Sequence, residues 1–258
     1  MIDIEKAKAA FEEYISQYDQ TIPSIKLKII HTYEVMKCSD YLSDLLQLSC
    51  DDKKLASLIA LLHDIGRFEQ WIKYESFEDY KTVDHALFSS ELLFEKGLIR
   101  EFIDDQCYDR IIKAAIEQHN RYEIDADFDE RTLMFIHLIR DADKLDNFRV
   151  KEVETFEAIF QTSYEEVSQE DITDSVYQQV YDQKLVYGPS RVTHLDMWLS
   201  YIAFIFDLHF RESLVYIHEN NWIDRSFSRI EPVNEKIKQK YDILKDRTLE
   251  YLVNKGVV

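Results

Sequence analysis

Six side chains able to ligate a metal recur along the first half of this sequence: His31, the adjacent pair His63-Asp64, His85, His119 and Asp143. Each sits in or beside an apolar stretch with helical spacing, and LIALLHDIG at 58–66 is the clearest of them. Burying an adjacent His–Asp pair costs free energy unless both groups are satisfied. A metal ion satisfies both, because imidazole nitrogen and carboxylate oxygen together suit Mn, Fe, Zn, Ni or Co. The order His, His-Asp, His, His, Asp spreads the candidates over five helices, with spacings that allow a helical bundle to converge them. The remaining histidines, His137, His194, His209 and His218, read as ordinary helix histidines, exposed or hydrogen-bonded.

The elements that would position these residues are helices. The 258 residues include only four glycines and three prolines, too few to turn the strands of a large sheet protein. A Gly-rich phosphate loop is excluded on the same ground. Asp3 is placed to cap a first helix bearing Phe11, Ile15 and Tyr18. Thr21 and Pro23 open a second, running from Ser24 into Leu48 through Ile25, Ile29, Thr32 and Met36. Asp51-Asp52 opens a third that is expected to end at Gly66. Residues 67–83 read as an aromatic connection (Phe68, Trp71, Tyr74, Phe77, Tyr80), and Asp84 caps a helix closed by Gly97. Further helices are expected at 108–119, 131–146, 152–160, 171–183, 195–218 and 232–254. The aromatic stripe of 195–218 reads as core packing. The reading is one all-α domain over 1–258, with a core at 25–150 and a helical extension at 151–258 packed on it.

The formal net charge is -19, which repels phosphate backbones and argues against a nucleic-acid partner. A small anion would need a local cation, and a bound metal is the obvious one. Cys38, Cys50 and Cys107 share no metal-like spacing and read as thiols in a reducing compartment. With no signal-peptide pattern and no 18-residue apolar run, the expectation is a cytoplasmic chain with no membrane partner. The aromatic C-terminal half offers a face for a homodimer.

HTYEV at 31–35, LLHDIGRF at 61–68, DHA at 84–86, EQHN at 117–120 and RDADKLDN at 140–147 resemble the HD-domain superfamily of metal-dependent phosphohydrolases. The resemblance spans roughly residues 25–150 and implies an HD-domain helical bundle with additional C-terminal helices. It also implies a ligand set: His31, His63, Asp64 and Asp143 match the basic metal site, while His85 and His119 match the extra histidines of dinuclear members. Asp64 would then bridge two divalent transition metals (Mn, Fe, Ni, Co or Zn), two per chain. Asp141 and Asp146 would support the site from behind. Two metals roughly 3.5–4 Å apart can activate a water and neutralise a phosphate. Asp64 could orient that nucleophile, Lys144 and Arg67 are candidate catalytic cations for the phosphate, and Asn120 and Asn147 could donate hydrogen bonds. The aromatic segment Phe68–Tyr80 could wall the pocket and stack a nucleobase.

The expected activity is hydrolysis of a phosphomonoester or phosphoanhydride, nucleotides included, on a small phosphorylated substrate. Two subfamily patterns are missing. NRYEID follows EQH where cyclic-di-GMP phosphodiesterases carry Gly-Tyr-Pro, and Arg67-Phe68 stand where (p)ppGpp hydrolases carry Glu-Asp. The alternative is an HD-type diiron oxygenase acting on a small organic substrate with the same ligands. A binding module without turnover is a third reading, disfavoured by the complete ligand set.

Overall fold

The computed structural model describes residues 2–125 and 127–258, which form helices and turns with no strand among them. The chain divides into two compact units, Met1–Asp143 and Lys144–Val258. The division falls inside one long helix, between the candidate ligand Asp143 and Lys144.

The first unit holds α1 (Ile4–Ser16), α2 (Pro23–Leu45), α3 (Cys50–Leu62), α4 (Gly66–Tyr74), α5 (His85–Ser90), α6 (Ile99–Phe102), α7 (Asp109–Gln118) and the first part of α8 (Glu130–Val153). The start signals act as their chemistry dictates. Asp3 accepts from Lys6 N at 3.0 Å at the head of α1, and Pro23 opens α2. α3 starts at Cys50, one residue before the expected acidic start, and Ser49 caps it by accepting from Asp52 N at 3.2 Å. Asp84 accepts from the amides of Ala86 and Leu87 at the head of α5. Every residue of α3 from Leu55 to Leu62 is buried, as its unbroken apolar run requires. It lies along α2, while α5 packs on α4 and α7.

Gly66 departs from expectation. It does not close α3 but opens α4, a helix within the stretch read as a connection. A Cβ at Gly66 would lie 2.8 Å from Ser89 N and 2.9 Å from Ser89 Oγ. The Gly66 amide donates to that same Oγ at 2.9 Å. The glycine therefore serves close approach of α4 to α5, not helix termination. α4 ends at Glu75, which takes a left-handed φ of 49°, and the remaining connection includes a 3₁₀ turn at Asp79–Lys81. α5 runs on into a π-helical turn, Glu91–Glu95, before Gly97 turns the chain at φ +79°.

The second unit holds the rest of α8, then α9 (Phe156–Phe160), α10 (Tyr164–Gln169), α11 (Asp174–Tyr181), α12 (His194–Ile202), α13 (Arg211–Glu219), α14 (Trp222–Ser228) and α15 (Glu235–Asn254). α11 lies along α15 and α12. The single helix expected over 195–218 is broken: α12 ends at Ile202, a 3₁₀ turn covers Ala203–Asp207, and α13 starts at Arg211. A 3.6-residue repeat cannot keep Phe204, Phe206 and Phe210 on one face, so the chain tightens and redirects there. Phe206 then meets Tyr251 edge-on, with ring centroids 5.1 Å apart. The aromatic stripe packs inward as expected, with Trp198 at 1% exposure against Phe156 and Phe160. Among the described residues no helix is long and apolar enough to cross a membrane.

Candidate metal centre

The first unit brings His31, His63, Asp64, His85, His119 and Asp143 together from α2, the α3–α4 turn, α5, the end of α7 and α8. All but Asp143, which is largely covered, are buried. The six sort into two groups around the two oxygens of Asp64. Asp64 Oδ2 lies 3.7 Å from both His31 Nε2 and His63 Nε2, and Asp143 Oδ1 lies 3.0 Å from His31 Nε2 and 3.9 Å from His63 Nε2. Asp64 Oδ1 lies 3.4 Å from His85 Nε2 and 3.7 Å from His119 Nε2. Both groups are tight enough to hold an ion: His31, His63 and Asp64 form one, and Asp64, His85 and His119 the other.

Local structure fixes which nitrogen each ring presents. His63 and His119 each follow the last residue of a helix, α3 and α7, where carbonyls lack a helical partner. His63 Nδ1 meets Ala60 O at 2.8 Å and His119 Nδ1 meets Ile116 O at 2.7 Å. A carbonyl can only accept, so in both rings Nδ1 carries the hydrogen and Nε2 is left with a lone pair. His85 Nδ1 is held by the carboxylate of Asp79, which fixes the same tautomer in that ring.

The result is a cluster of acceptors facing acceptors. His85 Nε2 and His119 Nε2 stand 3.0 Å apart, with two lone pairs directed at each other. His63 Nε2 and Asp64 Oδ1 are buried without a hydrogen-bond partner among the described residues. Such an arrangement is unfavourable by itself. A cation between the acceptors removes the penalty, so the donor set fits divalent metal ions.

The electrostatics keep the ligands in the metal-binding form. Burial pushes the His63 imidazole down to about 4, with Asp64 and Asp143 opposing. Burial also lowers His85 to about 4, reinforced by the nearby Arg67 guanidinium. Both rings are thus neutral at pH 7. Burial alone would raise Asp64, but the Lys28 ammonium and the surrounding imidazoles hold it well below the usual carboxylate range. Asp143 is likewise held low against burial, chiefly by its hydrogen bond with His31.

The other sequence-derived candidates are distributed differently. Arg67 reaches the cluster: its Nε is 3.6 Å from Asp64 Oδ1. Its Nη1 donates to Gln70 Oε1, Phe77 O and Asp79 Oδ1 at 2.8–2.9 Å. The ammonium of Lys144 is buried against Asp207 at 2.9 Å and over the ring of Phe204. Asn120 donates to Asp84 Oδ1 at 3.0 Å. Asp141 is fully buried, and Asp146 pairs with Arg149. The aromatic segment splits in role. Phe68 is core, packed on Phe11, Tyr14 and Tyr18, whereas Phe77 lies against Trp71 and beside Lys28 and Arg67. Tyr80 is exposed.

Three residues at the centre are not among the sequence-derived candidates. Lys28 Nζ contacts Asp64 Oδ2 at 2.6 Å. It precedes His31 by three residues on α2, which puts both on one helix face. Asp79 orients His85 and Arg67 together. Arg140, buried in α8, donates from Nη1 to the carbonyls of Gln118, His119 and Arg121 at 2.6–3.3 Å. It ties down the end of α7 that presents His119.

Among curated proteins and solved structures, nothing matches the chain. A family model does match, over residues 29–149, which contain all six clustered residues. The model is that of the HD domain, and residues 29–149 are similar to it.

Proposed function

We propose that the protein is a phosphohydrolase that uses two divalent transition metals to cleave a phosphomonoester or phosphoanhydride of a small substrate, nucleotides included. One observation carries the reading: the two oxygens of a single buried carboxylate, Asp64, face two separate pairs of histidine Nε2 atoms. His31, His63, Asp143 and Asp64 Oδ2 would hold one metal, and Asp64 Oδ1, His85 and His119 the other. Bound there, such ions supply Lewis acidity toward phosphoryl oxygen and lower the pKa of a coordinated water.

The chain's own residues set the conditions. The Nδ1 contacts of His63, His85 and His119 fix tautomer and ring orientation, so three Nε2 atoms are aimed before any ligand arrives. Burial keeps the rings neutral and therefore able to donate. Lys28 and Arg67 put two permanent cations beside Asp64, which favours an anionic substrate despite the acidic surface. Phe77, against both cations, is an aromatic face on which a base could stack.

The test is metal content together with turnover. Protein stripped with chelator and reloaded with Mn2+ is expected to bind two equivalents per chain and to release phosphate from an aryl phosphate or from a member of a nucleotide panel. One equivalent at saturation removes the dinuclear arrangement. Oxygen uptake by iron-loaded protein on an organic substrate, without phosphate release, would replace the hydrolase reading with the oxygenase one.

A further inference from the structure

Lys28 is out of place for a residue that only supports a metal site. Its ammonium lies 2.6 Å from Asp64 Oδ2, the oxygen shared with the His31 and His63 group. Its side chain is 16% exposed and that of Asp64 4%. Among the described residues the other cation at Asp64 is held elsewhere: Arg67 Nε is 3.6 Å from the other oxygen and its Nη1 is engaged by Gln70, Phe77 and Asp79. The ammonium also lies 5.5 Å from the centre of the Phe77 ring, and the Arg67 guanidinium is at the same distance from that ring. Among the described residues Lys28 therefore pairs with Asp64 and otherwise meets an aromatic face and a like charge.

An ammonium and a dication on the same carboxylate oxygen repel each other at short range in a poorly solvated site. Whatever draws the dication in must loosen the lysine. A lysine loosened from Asp64 keeps its charge, its position at the edge of the cluster and its flexible stem. Among the described residues, its other close contact is the ring of Phe77.

We propose that Lys28 is a built-in competitor for the metal at Asp64 and becomes, once displaced, a binding residue for the substrate's phosphate. In the metal-free protein it neutralises a buried carboxylate that would otherwise stand uncompensated. In the loaded protein it supplies the positive charge that the acidic chain lacks around its substrate. The first role concerns Asp64 alone; the second rests on the phosphohydrolase reading above.

The test uses full-length protein stripped of metal, with Lys28→Met, which keeps the stem and removes the charge, and Lys28→Arg, which keeps a charge. Calorimetric titration with Mn2+ is expected to show Lys28→Met binding its tightest equivalent about tenfold more tightly than wild type, with the same stoichiometry. Lys28→Arg should stay close to wild type. The sign is decisive, because damage to the site weakens metal binding and only loss of a competitor strengthens it. Unchanged or weaker Mn2+ affinity in Lys28→Met, with wild type binding normally, overturns the competitor role. Wild-type protein that takes up no Mn2+ overturns the metal-centre reading and this inference with it. In the Mn2+-loaded proteins, inorganic phosphate is the probe for the second role. Lys28→Met is expected to lose about tenfold in phosphate affinity while Lys28→Arg retains it, and equal phosphate affinity in all three overturns that role.

Discussion

Two aspartates buried in different units show what distinguishes a working carboxylate from a structural one. Asp196, in the second unit, is fully buried and surrounded by donors. Its Oδ1 accepts from Thr173 N at 2.9 Å, and its Oδ2 accepts from Val192 N at 2.9 Å and Thr193 N at 3.1 Å. It belongs to the capping box that starts α12. Asp64, in the first unit, is nearly as buried, yet its surroundings are mostly acceptors: the Nε2 lone pairs of His63, His85 and His119 within 3.4–3.7 Å and a single ammonium at hydrogen-bond distance. Burial alone marks neither residue. The balance of donors and acceptors does, because a buried acceptor among acceptors is stable only with a cation. The same test separates Lys144, closed by Asp207, from the Asp64 cluster.

The strongest way to break this contrast is to replace each carboxylate by its amide. Asp64→Asn should lower phosphate release on the order of a thousandfold, the scale of losing a principal electrostatic group at a reaction centre. It should also reduce bound Mn2+ below two equivalents. Asp196→Asn should leave metal content at two equivalents and cost about 2 kcal/mol of stability, since at least one backbone N–H loses its acceptor in either orientation of the amide. Metal analysis, turnover and thermal melts on both variants decide the matter. Equal loss of metal in both variants would dissolve the distinction.

A second test uses acid. Burial holds the His63 ring at about 4 against 6.5 when unfolded, and His85 is lowered similarly. Between those values the unfolded chain binds protons that the folded chain refuses. Stability of the metal-free protein is therefore fully present above about 6.5 and lost as pH falls toward 4, about 3 kcal/mol for His63 alone. Asp64 and Asp143, held below the usual carboxylate range, add their loss only at more acidic pH. The metal-free melting temperature should fall steadily from pH 6.5 to 4, while His63 remains neutral enough to ligate Mn2+ at pH 5. A melting temperature flat across that window would remove the claim that the ring is buried neutral.

The six clustered residues were legible in the sequence because metal chemistry depends on residue identity. Few residue types can ligate, and the His, His-Asp, His, His, Asp order survives whatever the loops between do. The all-helical class followed as directly from the scarcity of Gly and Pro. What the sequence concealed depends on convergence in three dimensions. Asp79 sits in a 3₁₀ turn of an irregular connection, where no periodicity points at His85. Arg140 stands within the RDADK segment, but its role exists only because the end of α7 arrives beside it. Lys28 lies one turn before His31 on the same helix face, but a lysine in a helix carries no motif. Gly66 was misread as a stop because a glycine required for close approach and one required for a turn look identical in sequence. The break at Ala203–Asp207 was hidden by an aromatic pattern that suits a buried helix and a buried 3₁₀ turn equally.

The mildest perturbation sharpens the comparison within the site itself. Asp79 lies outside the two groups centred on Asp64, yet it holds Nδ1 of His85 and Nη1 of Arg67 on its two oxygens. Such a carboxylate fixes the tautomer of its histidine and strengthens its donor nitrogen. Asp79→Asn keeps the shape but offers His85 a weaker acceptor, so one of the two Mn2+ equivalents should bind about tenfold more weakly. The other, held by His31, His63 and Asp143, should be unchanged. Titration calorimetry resolving the two equivalents reads this directly. Both weakening together would mean that the two halves of the cluster are one energetic unit, whereas a selective loss makes Asp64 a true divider between two separately tuned positions.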